Sequence, residues 1–390
     1  MGVPALRKVG IAPVPWRGAT CVGEPGTLAR RLAAELVSTL AVAVRVTQSR
    51  GMATYSRRHF LGASALGLAA LPAAHVSAST ASTTASASRP AVLPAKTPGK
   101  PFVYPFRIGA IEAWSISDGH SLFNDRVDKM HPPGERPRMV EELAAHGERL
   151  DGFALYVNVL VLRIGREVVV CDAGFGQRPN PNLGWLADGL ASIGIRPEDV
   201  TQAFISHGHS DHIGGFVTAG RPTFPNAAVR VLGAEVDFWR SAKPDFSRSL
   251  RRDNTTKLTN DVRAALDVLA PNLQLHQDGD AVLGGAVTMV AAPGHTAGHA
   301  MLRIRDGDAS LVHIMDVAHH HLLMFADPTW YIEFDHEPEQ AVATRRRVFA
   351  ELAGSRQRTY GFHLPWPGLG HILPRATGYR WEPERWSWGS

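Results

Sequence analysis

The chain has 390 residues and a formal net charge of +5, a length that allows one large domain or two ordinary ones. Residues 1–58 contain nine Lys/Arg and two Asp/Glu and residues 59–78 contain none, so of the totals of 41 and 36, 32 basic and 34 acidic residues remain in the rest of the chain. That remainder is slightly acidic. This argues against a nucleic-acid partner, which requires a dense basic face.

The first hundred residues read as an export leader. Ser56-Arg57-Arg58-His59-Phe60-Leu61 is a twin-arginine pattern, the run 60–74 is apolar and uncharged, and Val76-Ser77-Ala78 offers a small-residue cleavage site. The apolar run is shorter than the roughly 20 residues that a membrane-spanning helix needs. We therefore expect a twin-arginine signal peptide, recognition by the twin-arginine export machinery, and a periplasmic or secreted protein.

The leader sets the predicted domain boundaries. We expect residues 1–51 to be a non-structural upstream extension, 52–78 the signal peptide, and 79–101 a flexible linker, because that last stretch is rich in Ser, Thr, Ala, Pro and Lys. Residues 102–390 should form one domain. Of the two cysteines, Cys21 falls in the leader, and Cys171 lies in an apolar run that predicts a buried, unreactive thiol.

Strand patterns dominate the first half of the predicted domain, and helices alternate with strands in the second half. The predicted strands are 106–117, 155–164, 167–172, 200–206, 227–232, 286–292, 300–304, 310–315 and 358–363, and the predicted helices are 183–193, 234–240, 261–269 and 337–352. Hairpins followed by alternating elements favour an α/β fold with two sheets covered by helices, a four-layer αββα sandwich.

Seven side chains have the spacing and chemistry of a two-metal site. Residues 206–212 read Ser-His-Gly-His-Ser-Asp-His, and three further candidates follow strand-like runs downstream. Imidazole and carboxylate suit Zn²⁺ and similar ions, and a pair of such ions can turn a bridging water into a nucleophile. The predicted ligands are His207, His209, Asp211, His212, His295, Asp316 and His363. His299, His371 and 319–321 are expected to be structural or to lie near the site, with His319 the best candidate for a pocket wall.

The ligand cluster, the Pro293–His299 loop (PGHTAGH), the strand-end Asp316 and the late His363 resemble the metallo-β-lactamase superfamily, and most of all its methyl parathion hydrolase-like and lactonase-like members. The similarity covers about 106–388. Its other matching stretches are Ile116-Ser117-Asp118-Gly119, Val170–Gly174, Phe224–Ala227, Val236–Trp239 and Phe362–Ile372.

The resemblance implies a division of roles. His207, His209 and His295 would hold one ion, and Asp211, His212 and His363 a second, with Asp316 bridging them. Asp172 would orient the first-site ligands by hydrogen bonding. Met315 stands where glycine is usual in the family, which could shift the strand end slightly.

The implied activity is hydrolysis of a lactone, ester or aryl phosphotriester by a metal-bridging hydroxide, with two divalent ions, zinc being the expected metal, and with Asp211 and Asp316 as the catalytic carboxylates. Phe175, Trp185, Trp239 and Trp366 are candidates for an apolar pocket that binds a small-molecule substrate. A homodimer is also implied.

Three alternatives remain open at this point. A β-lactamase or a glyoxalase II-like thioesterase would use the same fold on another substrate. A non-catalytic metal-binding protein would keep the ligands without turnover.

Overall fold

The computed structural model describes residues 101–386, apart from 125, 178, 179 and 252. By its contacts the chain divides into two units, Met1–Thr84 and Ala85–Ser390, and the described residues all belong to the second. The predicted upstream extension, signal peptide and most of the linker lie outside them. None of the helices within 101–386 combines the length and apolar character needed to cross a bilayer.

Two seven-stranded sheets form the centre of the molecule. The first has the order β1-β2-β3-β4-β5-β8-β9, antiparallel up to β4 and parallel beyond it. Its strands are β1 Val103–Ile108, β2 Ile111–Leu122, β3 Ala154–Ile164, β4 Glu167–Cys171, β5 Gln202–Phe204, β8 Ala228–Leu232 and β9 Leu273–His276. A small separate hairpin consists of β6 Val217–Thr218 and β7 Arg221–Pro222.

The second sheet runs in order from β10 to β16, and only β13 and β14 pair in parallel. Its strands are β10 Ala281–Val282, β11 Val287–Ala291, β12 Ala300–Asp306, β13 Ala309–His313, β14 Arg358–Tyr360, β15 Leu369–Pro374 and β16 Tyr379–Pro383. The α-helices of the described residues are α1 Arg136–Ala145, α2 Leu186–Ser192, α3 Ser210–Ile213, α4 Gly233–Arg240, α5 Thr255–Leu269, α6 Leu323–Ala326 and α7 Pro338–Ser355.

Side chains that alternate along the strands create three apolar layers. On β3, Leu160 and Leu162 pack between the sheets with residues of the second sheet such as Leu302. The intervening Val159 and Val161 face the other way, into a cluster that includes residues of α2 and α5. A third cluster joins the outer face of the second sheet to α7. Helix, sheet, sheet and helix therefore stack in that order, as the sequence predicted.

The predicted strand 106–117 is wrong in one respect, because the chain turns at Gly109 and forms two strands. Gly109 has a φ of +60°, and a Cβ there would lie 2.5 Å from Asp306 Oδ2. The pattern of apolar residues continues through the turn, so periodicity alone did not reveal it. Helix α1 and the hairpin β15–β16 also lie in regions where no element was predicted.

Candidate metal centre

The His-x-His-x-Asp-His segment follows β5 directly. The chain leaves the strand after Phe204, turns at Gly208 and enters the short helix α3, which carries Asp211 and His212. A Cβ on Gly208 would lie 2.4 Å from Trp239 Nε1, so glycine allows the indole to pack against the turn.

Four side chains form a first group of inward-facing atoms. His207 Nε2 lies 3.1 Å from His209 Nδ1, which lies 2.9 Å from His295 Nε2. Asp316 Oδ2 completes the group, 3.1 Å from His295 Nε2 and 3.6 Å from His207 Nε2. All four residues are buried.

A second group lies on the other side of Asp316. His363 Nε2 is 3.3 Å from Asp211 Oδ2, and His212 Nε2 is 3.7 Å from the same oxygen. Asp316 reaches this group too, with Oδ1 3.1 Å from His212 Nε2 and Oδ2 3.4 Å from His363 Nε2. All seven predicted ligands thus converge, and Asp316 stands between two triads.

The contacts within these groups fit divalent ions better than hydrogen bonds. His209 Nδ1 lies about 3 Å from both His207 Nε2 and His295 Nε2, so three imidazole nitrogens meet at one point, as the ligands of a single cation do. His212 Nε2 and Asp316 Oδ1 are buried 3.1 Å apart, yet this contact lacks hydrogen-bond geometry, and neither atom has another hydrogen-bond partner among the described residues. Buried polar atoms normally have partners, so a cation shared by these donors fits the residues present.

The close packing of the predicted ligands also shifts their pKa values. Burial lowers the pKa of His207 and of His209 well below the usual value, and neighbouring histidines lower it further. Burial also disfavours the charged form of His295, but the carboxylates of Asp316 and Asp335 outweigh it and raise its pKa to about 9. The surrounding histidines hold the pKa of Asp316 well below its usual value despite its burial. Neutral imidazoles and an ionised carboxylate are the forms that bind metals.

Asp172 follows β4 and orients predicted metal ligands. The resemblance implied that it contacts the first group, but its direct partner is a histidine of the second group. Its Oδ2 lies 2.7 Å from His212 Nδ1, in the second group. It reaches His207, in the first group, only through Ser206, whose hydroxyl donates to Asp172 Oδ2 at 2.6 Å and lies 2.9 Å from His207 Nδ1. Asp172 therefore fixes one histidine of each group.

Glu235, on α4, joins the two ligand loops and was not singled out from the sequence. The carboxylate is fully buried, and it accepts hydrogen bonds from Gly208 N at 2.8 Å and Trp239 Nε1 at 2.7 Å. Its other oxygen accepts from Thr296 Oγ1 at 2.6 Å and Gly298 N at 2.9 Å. One side chain thus ties the loop that carries His207 and His209 to the loop that carries His295.

Asp316 does not end a strand as expected. Strand β13 stops at His313, and Asp316 lies in a single turn, Met315–Val317. Met315 has a φ of +48°, the left-handed region in which glycine is favoured. Met315 therefore has a backbone conformation that favours glycine, the residue that the resemblance implies at this position, and the Asp316 carboxylate still lies between the two groups.

A cavity of about 340 Å³ opens onto both groups. Of the predicted pocket residues, Phe175 and His319 line it. Trp239, Trp366 and Trp185 are not among the residues that line this cavity, and Trp239 is fully buried, packed on Phe238 and Phe246. The apolar wall instead consists of Phe123, Leu155, Val157, Phe175, Leu183, Leu258 and Phe334.

His319, which was predicted to be part of the pocket wall, also contacts two of the predicted ligands, Asp316 and His363. Its Nε2 lies 3.0 Å from Asp316 Oδ2, and its ring stacks on that of His363 with centroids 5.3 Å apart. Its donor atom also groups with those of Asp316 and His363. By contrast, His320 stacks on Phe153 and its Nε2 lies 3.4 Å from Glu148, outside the ligand groups.

A model of the metallo-beta-lactamase superfamily matches residues 152–320, which include six of the seven predicted ligands. The chain therefore contains a metallo-beta-lactamase superfamily domain, and the fold predicted from the sequence is confirmed.

Among solved structures, the chain is similar to AidC, a dizinc quorum-quenching lactonase in complex with a product, N-hexanoyl-L-homoserine. The identity is 27% and the TM-score 0.69, over 74% of this chain and 99% of AidC. It is also similar to AbOPH, a hydrolase in the beta lactamase superfamily, with 26% identity and a TM-score of 0.67 over 73% of this chain and 98% of that one.

Curated relatives include probable metallo-hydrolases of Mycobacterium bovis and Mycobacterium tuberculosis, each 26% identical over 200 residues. The match covers 43% of this chain and 59% of each relative, so the chain spans about three fifths of their length. These relatives and both solved structures bear names of hydrolases or lactonases, in agreement with the predicted metal-dependent hydrolase.

Proposed function

We propose that the protein is a binuclear metal-dependent hydrolase that cleaves a lactone, ester or aryl phosphotriester. The observation that carries the proposal is the position of Asp316 between two triads of donors at the floor of a cavity. His207, His209 and His295 would hold one ion, and Asp211, His212 and His363 the other. When bound, a pair of divalent ions would activate water and polarise the substrate oxygen. Zinc is the proposed metal because the donor set is rich in imidazole.

Residues of the cavity would position the substrate and exchange a proton with the leaving group. A cavity of about 340 Å³ lies at the lower end of the range for small-molecule sites, about 300–1,000 Å³. Its apolar wall, including Phe175 and Phe334, would hold an acyl chain or an aryl group beside the donors. Asp211 is the better placed of the two site carboxylates to exchange a proton with a leaving group, because its side chain is 21% exposed and that of Asp316 only 3%.

A lactone is the first substrate to test, because AidC, whose name describes a dizinc lactonase, is similar over nearly its full length. Metal-free and zinc-loaded protein would be assayed with an acyl-homoserine lactone, an aryl ester and an aryl phosphotriester. A β-lactam and a thioester would represent the alternative substrates. We expect turnover of at least one of the first three, dependent on two bound ions. Two tightly bound ions without hydrolysis of any ester would instead support a non-catalytic metal-binding protein.

We also propose that the protein is exported by the twin-arginine pathway and acts in the periplasm or outside the cell. The support is the pattern at Arg57 and Arg58 followed by an uncharged apolar run. Replacing both arginines with lysine should retain an uncleaved precursor in the cytoplasm, as measured by fractionation and mass spectrometry. Unchanged export of this variant would contradict the proposal.

A further inference from the structure

Two adjacent buried residues, Asp335 and His336, stand behind the first group of donors. They precede α7, they are 0% and 1% exposed, and no sequence motif marked them. His295 Nδ1 lies 2.8 Å from Asp335 Oδ1. His209 Nε2 lies 3.2 Å from His336 Nε2. Each contact is made by the ring nitrogen that points away from the other donors.

We infer that Asp335 and His336 are a pair of positioning residues that fix the ring orientation and tautomer of His295 and His209, and thereby set the metal affinity of the first site alone. This inference rests on the proposed metal site. A histidine that binds a metal through one nitrogen carries its proton on the other, and the partner of that second nitrogen fixes the ring.

The tautomers follow from the donor geometry. His209 presents Nδ1 to the first group, so its proton lies on Nε2 and is donated to His336 Nε2. His336 must then carry its own proton on Nδ1. That atom is buried and has no hydrogen-bond partner among the described residues. A buried N–H without a partner is destabilising, and packing alone does not explain its presence, because an aromatic residue would fill the same space.

The surroundings hold the pair rigidly. The ring of His336 is packed among Phe238, Trp239 and Phe246, with centroids 5.3, 5.5 and 4.7 Å away. Asp335 Oδ2 accepts a hydrogen bond from Ile332 N at 3.1 Å, and the buried guanidinium of Arg345 lies 4.0 Å from it.

The backbone of the pair is also bonded to the ligand loop. His336 N donates to His295 O at 3.0 Å, and Glu337 N donates to Gly294 O at 2.9 Å. Gly294 has a φ of +126°, and a Cβ there would lie 2.2 Å from Ala341 N on α7. The loop with His295 and the segment with Asp335 and His336 therefore move as one unit, so a change in the segment is transmitted to the ligand.

The second group is positioned by other parts of the chain. His212 is held by Asp172, and His363 Nδ1 donates to Tyr156 O at 2.7 Å. Neither contact involves residues 332–337. Changes at Asp335 or His336 should therefore weaken binding of one ion and spare the other.

The test titrates metal-free protein with Co²⁺, followed by its visible absorption, and measures zinc content after dialysis. His336→Phe keeps the ring but removes the acceptor, and His336→Gln restores an acceptor near the position of Nε2. Asp335→Asn removes the charge behind His295. Asp172→Asn is the comparison variant, because Asp172 supports one histidine of each group. We expect His336→Phe and Asp335→Asn to weaken one of the two binding steps about 10- to 100-fold. His336→Gln should recover most of that loss. Asp172→Asn should weaken both steps, because Asp172 contacts His212 directly and His207 through Ser206.

Wild-type affinities and an unchanged cobalt spectrum in both His336→Phe and Asp335→Asn would overturn the inference. Equal weakening of both steps in both variants would overturn it as well, since the pair would then act on the fold and not on one site. If His336→Phe does not fold, as judged by circular dichroism, His336→Gln and Asp335→Asn decide the question. Failure of the wild-type protein to bind two ions would instead refute the proposed metal site, so the two failures are distinguishable.

Discussion

Replacing Trp239 with alanine should destabilise the protein. A place in the substrate pocket, which the sequence suggested, would instead have implied a weaker affinity for aromatic substrates. The indole is fully buried, packs on Phe238 and Phe246, and supports the turn at Gly208. Truncating a buried aromatic side chain to alanine costs about 3–5 kcal/mol. The indole N–H also donates to Glu235 at 2.7 Å, and loss of a hydrogen bond to a carboxylate adds about 1.5–3 kcal/mol.

The expected loss is a large part of the free energy of unfolding of a typical domain, about 5–15 kcal/mol. The assay is urea unfolding of metal-free protein, because bound metal would add stability by mass action. Trp239→Phe keeps most of the packing and should lose about 1–3 kcal/mol, mainly from the hydrogen bond. Trp386→Ala is the control for loss of a tryptophan: its side chain is half exposed and packs on Tyr104, so its effect should be well below that of Trp239→Ala.

Kinetics on Trp239→Phe complete the test. KM for an aryl ester should stay close to the wild-type value, because the indole does not line the cavity. A several-fold rise in KM together with unchanged unfolding of Trp239→Ala would refute the placement of this residue in the core.

Four further predictions concern the metal centre. Asp316→Ala should lower metal content at both sites and nearly abolish hydrolysis; two retained ions with full activity would exclude a bridging role. Removing the metals with a chelator should lower the melting temperature, by the equivalent of about 2.7 kcal/mol at 100 times Kd, and an unchanged melting temperature would contradict a site formed only in the folded state. The pKa of His295 is raised to about 9 without metal, so its proton is bound at neutral pH and must leave when the ion binds. Binding should therefore release about one proton per first-site ion near pH 7.5 and strengthen up to about pH 9, as measured by calorimetry in buffers of different ionisation enthalpy; pH-independent affinity would contradict this assignment. Gly294→Ala should displace the loop from α7 and weaken first-site binding, whereas Gly307→Ala, which meets nothing within 4 Å, serves as the positive-φ control.

The sequence predicted the parts of the site that depend on residue type and local spacing. His207, His209, Asp211 and His212 lie within six residues of one another, so one turn after a strand brings them together whatever the rest of the chain does. The αββα fold was also predictable, because its alternating apolar pattern is set residue by residue along strands such as β3.

Of the four aromatic residues that the sequence suggested for the pocket, Phe175 alone lines the cavity. Trp239 lies on α4 in a segment that resembles the family, but a helix has several faces, and the packing of α4 against the turn at Gly208 decides which of them is buried. Phe123 and Phe334 line the cavity from loops far apart in the chain, and nothing in their neighbouring residues indicates it.

The seven predicted ligands could be identified from the sequence, because so many histidines and aspartates at the ends of strand-like runs are typical of a metal site. Their division into two triads about Asp316 was implied by the family resemblance, whereas the support from Glu235, Asp335 and His336 came only with the tertiary structure. Glu235 is 27 positions from Gly208 and 61 from Thr296, Asp335 is 40 from His295, and His336 is 127 from His209. Local patterns carry no information about contacts at such separations, since those contacts are set by how sheets and loops pack.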